Sequence, residues 1–399
     1  MPSADELRAP VRRHLTRALA SRNYRLFFSG QSISLVGTWI TRIATSWLVY
    51  RLTGSALLLG IVGFCGQIPT LLLAPFAGVL VDRWDRHRIL IITQALSLAQ
   101  SAALAVLTLA GMITVPHVLL LQIAQGLINA FDTPARQAFV SEMVEDRADL
   151  PNAIALNSTM VKASRIIGPS IGGLVTAAVG EGWCFALDAL SYVAVLASLH
   201  AMRLVPRQRE RRETHMREEL AVGFQYVTRF VPVRTALLLL SLVSIMGMPY
   251  TVLMPAISAN VLHGGPHTLG FLMTASGAGA LGGALYLALL PIVGAGMMVT
   301  MAATNTVLQT VVREELRGRV MAFYTMAFLG TAPIGSLIAG IAAHRIGPQR
   351  TILFGGLSCI AAGVWFAFRL PRLRELVRPI YVERGILAAA QVDASTKAL

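Results

Sequence analysis

The sequence predicts an all-α protein that crosses a membrane many times, and three observations carry that prediction. Of its 399 residues, 55% are hydrophobic and only 14% charged, and mean hydropathy is +0.64, well above the soluble range. The apolar residues fall into about eleven long uncharged runs, each near the roughly 20 residues that one membrane helix takes. Short hydrophilic segments separate the runs, and the basic residues collect in alternate segments.

Residues 1–25 hold Arg8, Arg12, Arg13 and Arg17 without the apolar stretch of a cleavable signal, so they read as a basic cytosolic N-terminus. Six runs follow, at 26–50, 56–81, 89–111, 117–140, 152–179 and 184–202, and make a predicted N-terminal bundle over 26–202. The longest hydrophilic stretch, 203–234, is a cytosolic linker with Pro206-Arg207-Gln208-Arg209-Glu210-Arg211-Arg212 and an amphipathic segment from Met216 to Phe230. Runs at 235–262, 268–290, 291–312, 319–343 and 351–370 form a shorter C-terminal bundle over 235–370, followed by a tail, 371–399. Through residue 234, Arg51 is the one basic residue on the non-cytosolic side of this layout, which is a strong orientation signal.

The net charge of +14 and pI near 10.7 would suggest nucleic acid in a soluble protein. Here the charges are confined to loops and read as topology signals, so no nucleic-acid partner is expected. Cys65, Cys184 and Cys359 lie in apolar runs without paired spacing. His263 and His267 are separated by Gly264, Gly265 and Pro266, which break the helical geometry of a ligand pair, so neither a metal nor a cofactor is expected.

The two halves echo each other. A basic turn precedes a run with Gly168-Pro169-Ser170-Ile171-Gly172-Gly173, and Arg317-Gly318-Arg319 precedes a run with Ala332-Pro333-Ile334-Gly335-Ser336. Internal repetition of this kind marks two-bundle transporters. After the second run comes Gly78-Val-Leu-Val-Asp82-Arg83-Trp84-Asp85-Arg86-His87-Arg88, where a carboxylate at a helix end faces three arginines. Charge-assisted bonds there can hold one conformation and release in another.

That segment resembles the loop signature of the major facilitator superfamily, with Asp85 where the family usually has glycine and His87 where it usually has a second base. Gly168-Pro169-x-x-Gly172-Gly173 resembles the antiporter signature of its export branch. Gly37-Thr38-Trp39 with Arg42, Leu52-Thr53-Gly54-Ser55, Asn129-Ala-Phe-Asp132-Thr133-Pro134-Ala135-Arg136-Gln137 and Arg317-Gly318-Arg319-Val320 resemble the subfamily of the enterobactin exporter and macrolide efflux proteins. The resemblance spans about residues 22–370. It implies a two-bundle fold around a central cavity in a bacterial cytoplasmic membrane, exporting a small amphipathic molecule, drug or siderophore-like, against protons; a monomer is expected.

Charges within membrane spans cost about 2.5–3.5 kcal/mol each on insertion scales and are therefore functional candidates. Arg42, Lys162, Arg165, Asp132, Arg136 and Asp188 are the ones present. Arg42 and Arg165 suit a cavity or coupling role. Asp132 and Arg136, four apart on one helical face, fit an internal ion pair as well as coupling. Asp188, about one turn into its run, fits interfacial placement or proton binding. The family's fourth-span arginine is replaced by Gln122, an amide that cannot tune a carboxylate as a cation does, which leaves Arg42 or Arg165 to substitute. Gln31, Trp39, Gln67, Gln122, Asn305 and Gln309 are the expected cavity lining.

Two other classes stay open. Gly168-Pro169-Ser170-Ile171-Gly172 fits G-x-S-x-G, the nucleophile elbow of a serine hydrolase, but that motif needs a strand-to-helix turn and Ser170 lies within a helical run. The other is a non-transporting scaffold or decayed transporter. The stretch from Thr268 to Val312 carries no charge and has room for two spans. Two spans would put Arg313, Arg317, Arg319 and the basic tail outside the cell, against the positive-inside rule. The family layout instead requires a net odd number of crossings. We therefore expect the equivalent of the ninth span to be missing, with an irregular junction around Leu289 to Ala295.

Overall fold

In the computed structural model the described residues are 17–144, 147–203, 216–278, 285–312 and 314–383, and they form helices joined by short turns. A backbone in lipid must bond internally, and helices do this without an exposed edge. The first half comprises α1 (Arg22–Thr53), α2 (Ala56–Arg83), α3 (Arg86–Leu109), α4 (Val115–Met143), α5 (Leu150–Val179) and α6 (Glu181–His200).

Local chemistry ends each helix. Gly54 takes φ 60° and donates its N–H to the Tyr50 carbonyl, closing α1, and the Ser55 hydroxyl then accepts from the Leu58 amide at 3.3 Å to open α2. Gly180, at φ 89°, lets α5 turn directly into α6. Asp85 caps α3 by accepting from the His87 and Arg88 amides. The aspartate that departs from the family's glycine thus satisfies the free N–H groups of a helix start.

The second half comprises α7 (Met216–Arg229), α8 (Val231–Gly247), α9 (Tyr250–Asn260), α10 (Pro266–Ala278), α11 (Leu285–Val311), α12 (Glu314–Thr325), a π-helical turn at Met326–Gly330, α13 (Ala332–Ile346) and α14 (Pro348–Glu383). Helices α8 and α9 continue one another, interrupted where Pro249 lacks an N–H to donate. Among the described residues, six stretches are long and apolar enough to cross a membrane. They lie in α2, α3, α6, α8–α9, the segment ending in α13, and α14. Helices α1, α4 and α5 span 32, 29 and 30 residues and pack in the same bundle, yet fall outside that set. They carry Gln31, Arg42, Asp132, Arg136, Lys162 and Arg165, and this polar content is tolerable where a helix faces protein or a water-filled space.

The apolar clusters reveal how the halves meet. At the end holding the α1 N-terminus, which we call the basic end, Tyr24, Phe27, Phe139 and Leu199 cluster within the first half alone. Val233, Leu237, Leu308 and Val320 cluster separately within the second half. At the opposite end the clusters are shared. Ile43 packs with Tyr250, Met254 and Leu269, Leu59 and Val62 with Ala256, and Ala56 with Leu253, Ala339 and Ala343. The described halves are sealed together at one end and cored separately at the other.

These clusters also fix the run of the chain. Helix α10 starts at the opposite end beside Ile43, and α11 ends at the basic end beside Val233. Helix α13 then rises to Ala56, and α14, with Ile352 beside Ala56, descends again. The described start of α10 and end of α11 thus lie at opposite ends of the bundle. The expected irregular junction at Leu289 to Ala295 is not found: α11 runs unbroken through those residues, and residues 279–284 before it lie outside the described residues. The uncharged sequence gave no marker for where one helix ends and the next begins.

Candidate functional site

The Gly168-Pro169-x-x-Gly172-Gly173 segment of α5 is packed on two faces. A methyl group on Gly168 would collide with the Trp39 Cβ, and one on Gly172 would stand 3.0 Å from the Ile40 Cα, so α5 lies directly on α1. On its other face Gly173 meets Gly270 of α10, where an added Cβ would lie 2.7 Å from the Gly270 Cα and from the Pro266 carbonyl oxygen. The α2–α13 crossing repeats this, with a Cβ on Gly60 at 2.6 Å from the Ser336 carbonyl and 2.8 Å from the Gly340 Cα. Small residues let the backbones touch, and both contacts join one half to the other.

Ser170 sits inside α5 and bonds the Thr274 hydroxyl of α10 at 2.6 Å, while Thr274 donates to the Ile166 carbonyl at 3.1 Å. The hydroxyl is a helix-packing group rather than an exposed nucleophile on an elbow.

Because α5 rides so close on α1, Arg165, one turn before Gly168, reaches the Trp39 ring. Its Cζ lies 5.9 Å from the ring centroid, and the Arg42 Cζ, from α1 itself, lies 5.1 Å away. Arg42 is exposed and Arg165 half-buried, so both guanidiniums can be reached from outside the packed helices. Trp39 in turn packs against the shared cluster of Ile43, Tyr250 and Leu269. The two arginines therefore stand between the halves, below the sealed end.

The two carboxylates lie within the first half. Asp188 on α6 is 1% exposed and accepts from the Ser101 hydroxyl of α3 at 2.8 Å, which places it in the core rather than at an interface. Asp132 on α4 is 5% exposed and accepts from Thr93 at 3.0 Å and Gln94 at 2.7 Å, both on α3. Its Arg136 neighbour is 3.6 Å away, so the expected i,i+4 ion pair forms but the shorter bonds go to α3. Between the carboxylates, Ser97 accepts from Gln125, which also donates to Asn129. Tyr192 of α6 brings its hydroxyl to 3.5 Å from that of Thr38 of α1. A polar track thus follows one face of α3 from Asp132 to Asp188.

Thr93, Gln94, Ser97, Gln100 and Ser101 were legible as a stripe at helical spacing in an otherwise apolar run, and they are the functional candidates that sequence reasoning missed. Glu142 was missed as well. It bonds Arg86 at 2.8 Å and ties the basic turn to the end of α4. His87 approaches the Leu199 carbonyl at 2.9 Å, and Arg88 lies 3.8 Å from Asp85. The side chains of Asp82 and Arg83, and any partner of Gly78, lie outside the described residues. Gln122 lies against Gly66 of α2. Gln31 is buried, Gln67 donates to the Gly63 carbonyl of its own helix, and Gln309 donates to Asn305. Among the described residues, no three His, Cys, Asp or Glu side chains are grouped as a metal site.

Residues 16–291 match the family model described as transmembrane secretion effector. The chain belongs to this family of the major facilitator superfamily. Its relatives include the staphyloferrin A transporter of Staphylococcus aureus, 28% identical over 86% of this chain and 95% of that protein. They also include multidrug efflux pump Tap of Mycolicibacterium fortuitum, 29% identical over 85% and 93%, and macrolide efflux protein A of Streptococcus pyogenes, 24% identical over 85% and 95%. The alignment to the staphyloferrin A transporter runs over 382 residues yet takes in 86% of a 399-residue chain.

Among solved structures, a bacterial homolog of the human lysosomal transporter Spinster matches with TM-score 0.68 at 11% identity, over 92% of this chain and 98% of that one. A peptide transporter of the POT family matches with TM-score 0.67 at 12% identity, over 91% and 99%. The fold is that of a major facilitator transporter, and the chain is a transporter rather than an enzyme.

Proposed function

We propose that this transporter exports a small amphipathic molecule across the bacterial cytoplasmic membrane by alternating access, driven by inward flow of protons. One observation carries the reading: the described halves share apolar clusters at the end opposite the α1 N-terminus and are cored separately at the basic end. A molecule sealed at one end and divided at the other has one of the two shapes that alternating access requires. The named activities of relatives, staphyloferrin A transport, multidrug efflux and macrolide efflux, support the direction and the substrate class.

In this reading the basic end is cytosolic, 26–202 and 235–370 are the rocking bundles, and 203–234 links them. Pro169 and Gly173 with Gly270, and Gly60 with Gly340, are the surfaces on which the bundles turn, while Gly168 and Gly172 hold α5 on α1 within the first bundle. Gly78, Asp82, Arg83, Arg86 and Arg88 form the switch loop, with Glu142 receiving Arg86. Asp188 and Asp132 exchange protons along the α3 track, where the Gln94 and Gln125 carbonyl oxygens have no bonding partner among the described residues and are spare acceptors. A transporter short of one C-terminal helix retains all of these parts.

The test is efflux from cells or proteoliposomes under an imposed proton gradient, with ethidium, a macrolide and the anionic dye carboxyfluorescein as probes. Gradient-dependent export that a protonophore abolishes is the expected result. Export that persists without a gradient overturns the coupling, and no movement of any probe by a well-folded protein favours the non-transporting reading.

A further inference from the structure

We propose that Arg42 and Arg165, held on the Trp39 ring, form an anion-binding site, and that the exported molecule is an amphipathic carboxylate or phenolate. The inference rests on the transport reading above and names the charge of its substrate. Two guanidinium groups converge on one indole, at 5.1 and 5.9 Å, and they repel one another. Among the described residues neither forms an ion pair with a carboxylate. Asp188, the buried carboxylate of the neighbouring helix α6, is engaged by Ser101 and Ser191. Asp132 is engaged by Thr93, Gln94 and Arg136.

Charges at this depth are costly unless something compensates them, and the indole face compensates only in part. An anion between the two guanidiniums removes the repulsion and gains charge-assisted, potentially bidentate bonds. The half-buried Trp39 ring, backed by the buried Ile43 and Leu269, offers the apolar surface beside it to the body of an amphipathic molecule. The position also suits transport. Trp39 and Arg42 belong to α1 and Arg165 to α5, and α5 contacts α10 of the other half through Gly173. An anion that pulls Arg165 toward Arg42 therefore acts on a helix that touches both halves.

Two dyes with one ring system and opposite charge provide the test, carboxyfluorescein and rhodamine 6G. Each is titrated by fluorescence anisotropy against the purified full chain in phosphatidylcholine nanodiscs, which present no anionic lipid. Wild type should bind carboxyfluorescein about tenfold or more tighter than rhodamine 6G. Arg42→Gln and Arg165→Gln should each weaken carboxyfluorescein by about tenfold, and Arg42→Lys by less. Equal or tighter binding of rhodamine 6G by wild type overturns the proposal, and this arm depends on no variant folding. Unchanged carboxyfluorescein affinity in a well-folded Arg42→Gln, Arg165→Gln double variant overturns it too. Binding needs no gradient, so these outcomes stand apart from success or failure of export. Gradient-driven export of ethidium together with absent carboxyfluorescein binding would leave the exporter standing and remove the anion site.

Discussion

Asp188 and Ser101 are 87 positions apart in sequence, yet the Ser101 hydroxyl donates to Asp188 Oδ2 at 2.8 Å in the core of the first half. The contact depends on Gly37 of α1, where an added Cβ would stand 2.7 Å from Asp188 Oδ1. Three helices therefore enclose one carboxylate, the most deeply enclosed acid of the polar track.

If Asp188 carries the proton, Asp188→Asn should reduce gradient-driven efflux by about tenfold or more while downhill exchange of the same probe continues. Ser101→Ala should give a smaller loss, because the carboxylate keeps its Ser191 bond. Comparing efflux with and without an imposed gradient checks this, and full gradient-driven efflux in Asp188→Asn would remove Asp188 from the mechanism.

The Gly173–Gly270 contact leaves no room for a side chain. Gly173→Val should overpack the α5–α10 crossing, at a cost of about 1–3 kcal/mol, and slow transport more than Gly296→Val, where open space surrounds the glycine. Thermal melting in detergent together with initial efflux rates separates the two variants.

Ion pairs at the two ends should differ in weight. Arg86 and Glu142 bond at 2.8 Å with side chains only 18% and 20% exposed, so Glu142→Gln should destabilise by about 1.5–3 kcal/mol. Arg51 and Glu181 make two bonds, at 2.7 and 3.2 Å, but the arginine side chain is 52% exposed, so Arg51→Gln should cost about 1 kcal/mol or less. Melting temperatures of the two variants in one detergent test this order, which a larger loss in Arg51→Gln would reverse.

The path of α10 to α14 puts the end of α14 at the same end of the bundle as the start of α1. A fluorescent reporter active in the cytosol, fused to the C-terminus, should therefore light up, and a periplasm-active phosphatase fused there should stay silent. The opposite pattern would mean an inverted C-terminal half.

Much of the fold was legible. Apolar runs predicted α1 to α6 within a few residues, and Gly54, Asp85 and Gly180 stand at their ends because each satisfies or releases backbone groups there. The glycine motif of α5 was legible as a close-packing surface, but not that Gly168 faces α1 while Gly173 faces α10. Arg42 and Arg165 were legible singly as costly charges, whereas their meeting on Trp39 was not. The stripe from Thr93 to Ser101 was readable as a pattern, yet hydroxyls and amides are ordinary in membrane helices until a buried carboxylate is seen beside them.

By itself the sequence determined that the chain is a membrane bundle, where most helices begin and end, and which loops are basic. These follow from local terms, the transfer of apolar side chains into lipid and the capping of helix ends. The tertiary structure alone decided the direction of the helices after residue 266, the pairing of α5 with α10 and α2 with α13, and the partners of Asp132 and Asp188. Hydropathy measures how much a helix prefers lipid to water, and Thr268 to Val312, without a charge, carries no signal of direction. Which face meets which neighbour depends instead on close fit between small residues and on bonds between groups tens to hundreds of positions apart, and those exist only once the helices have packed.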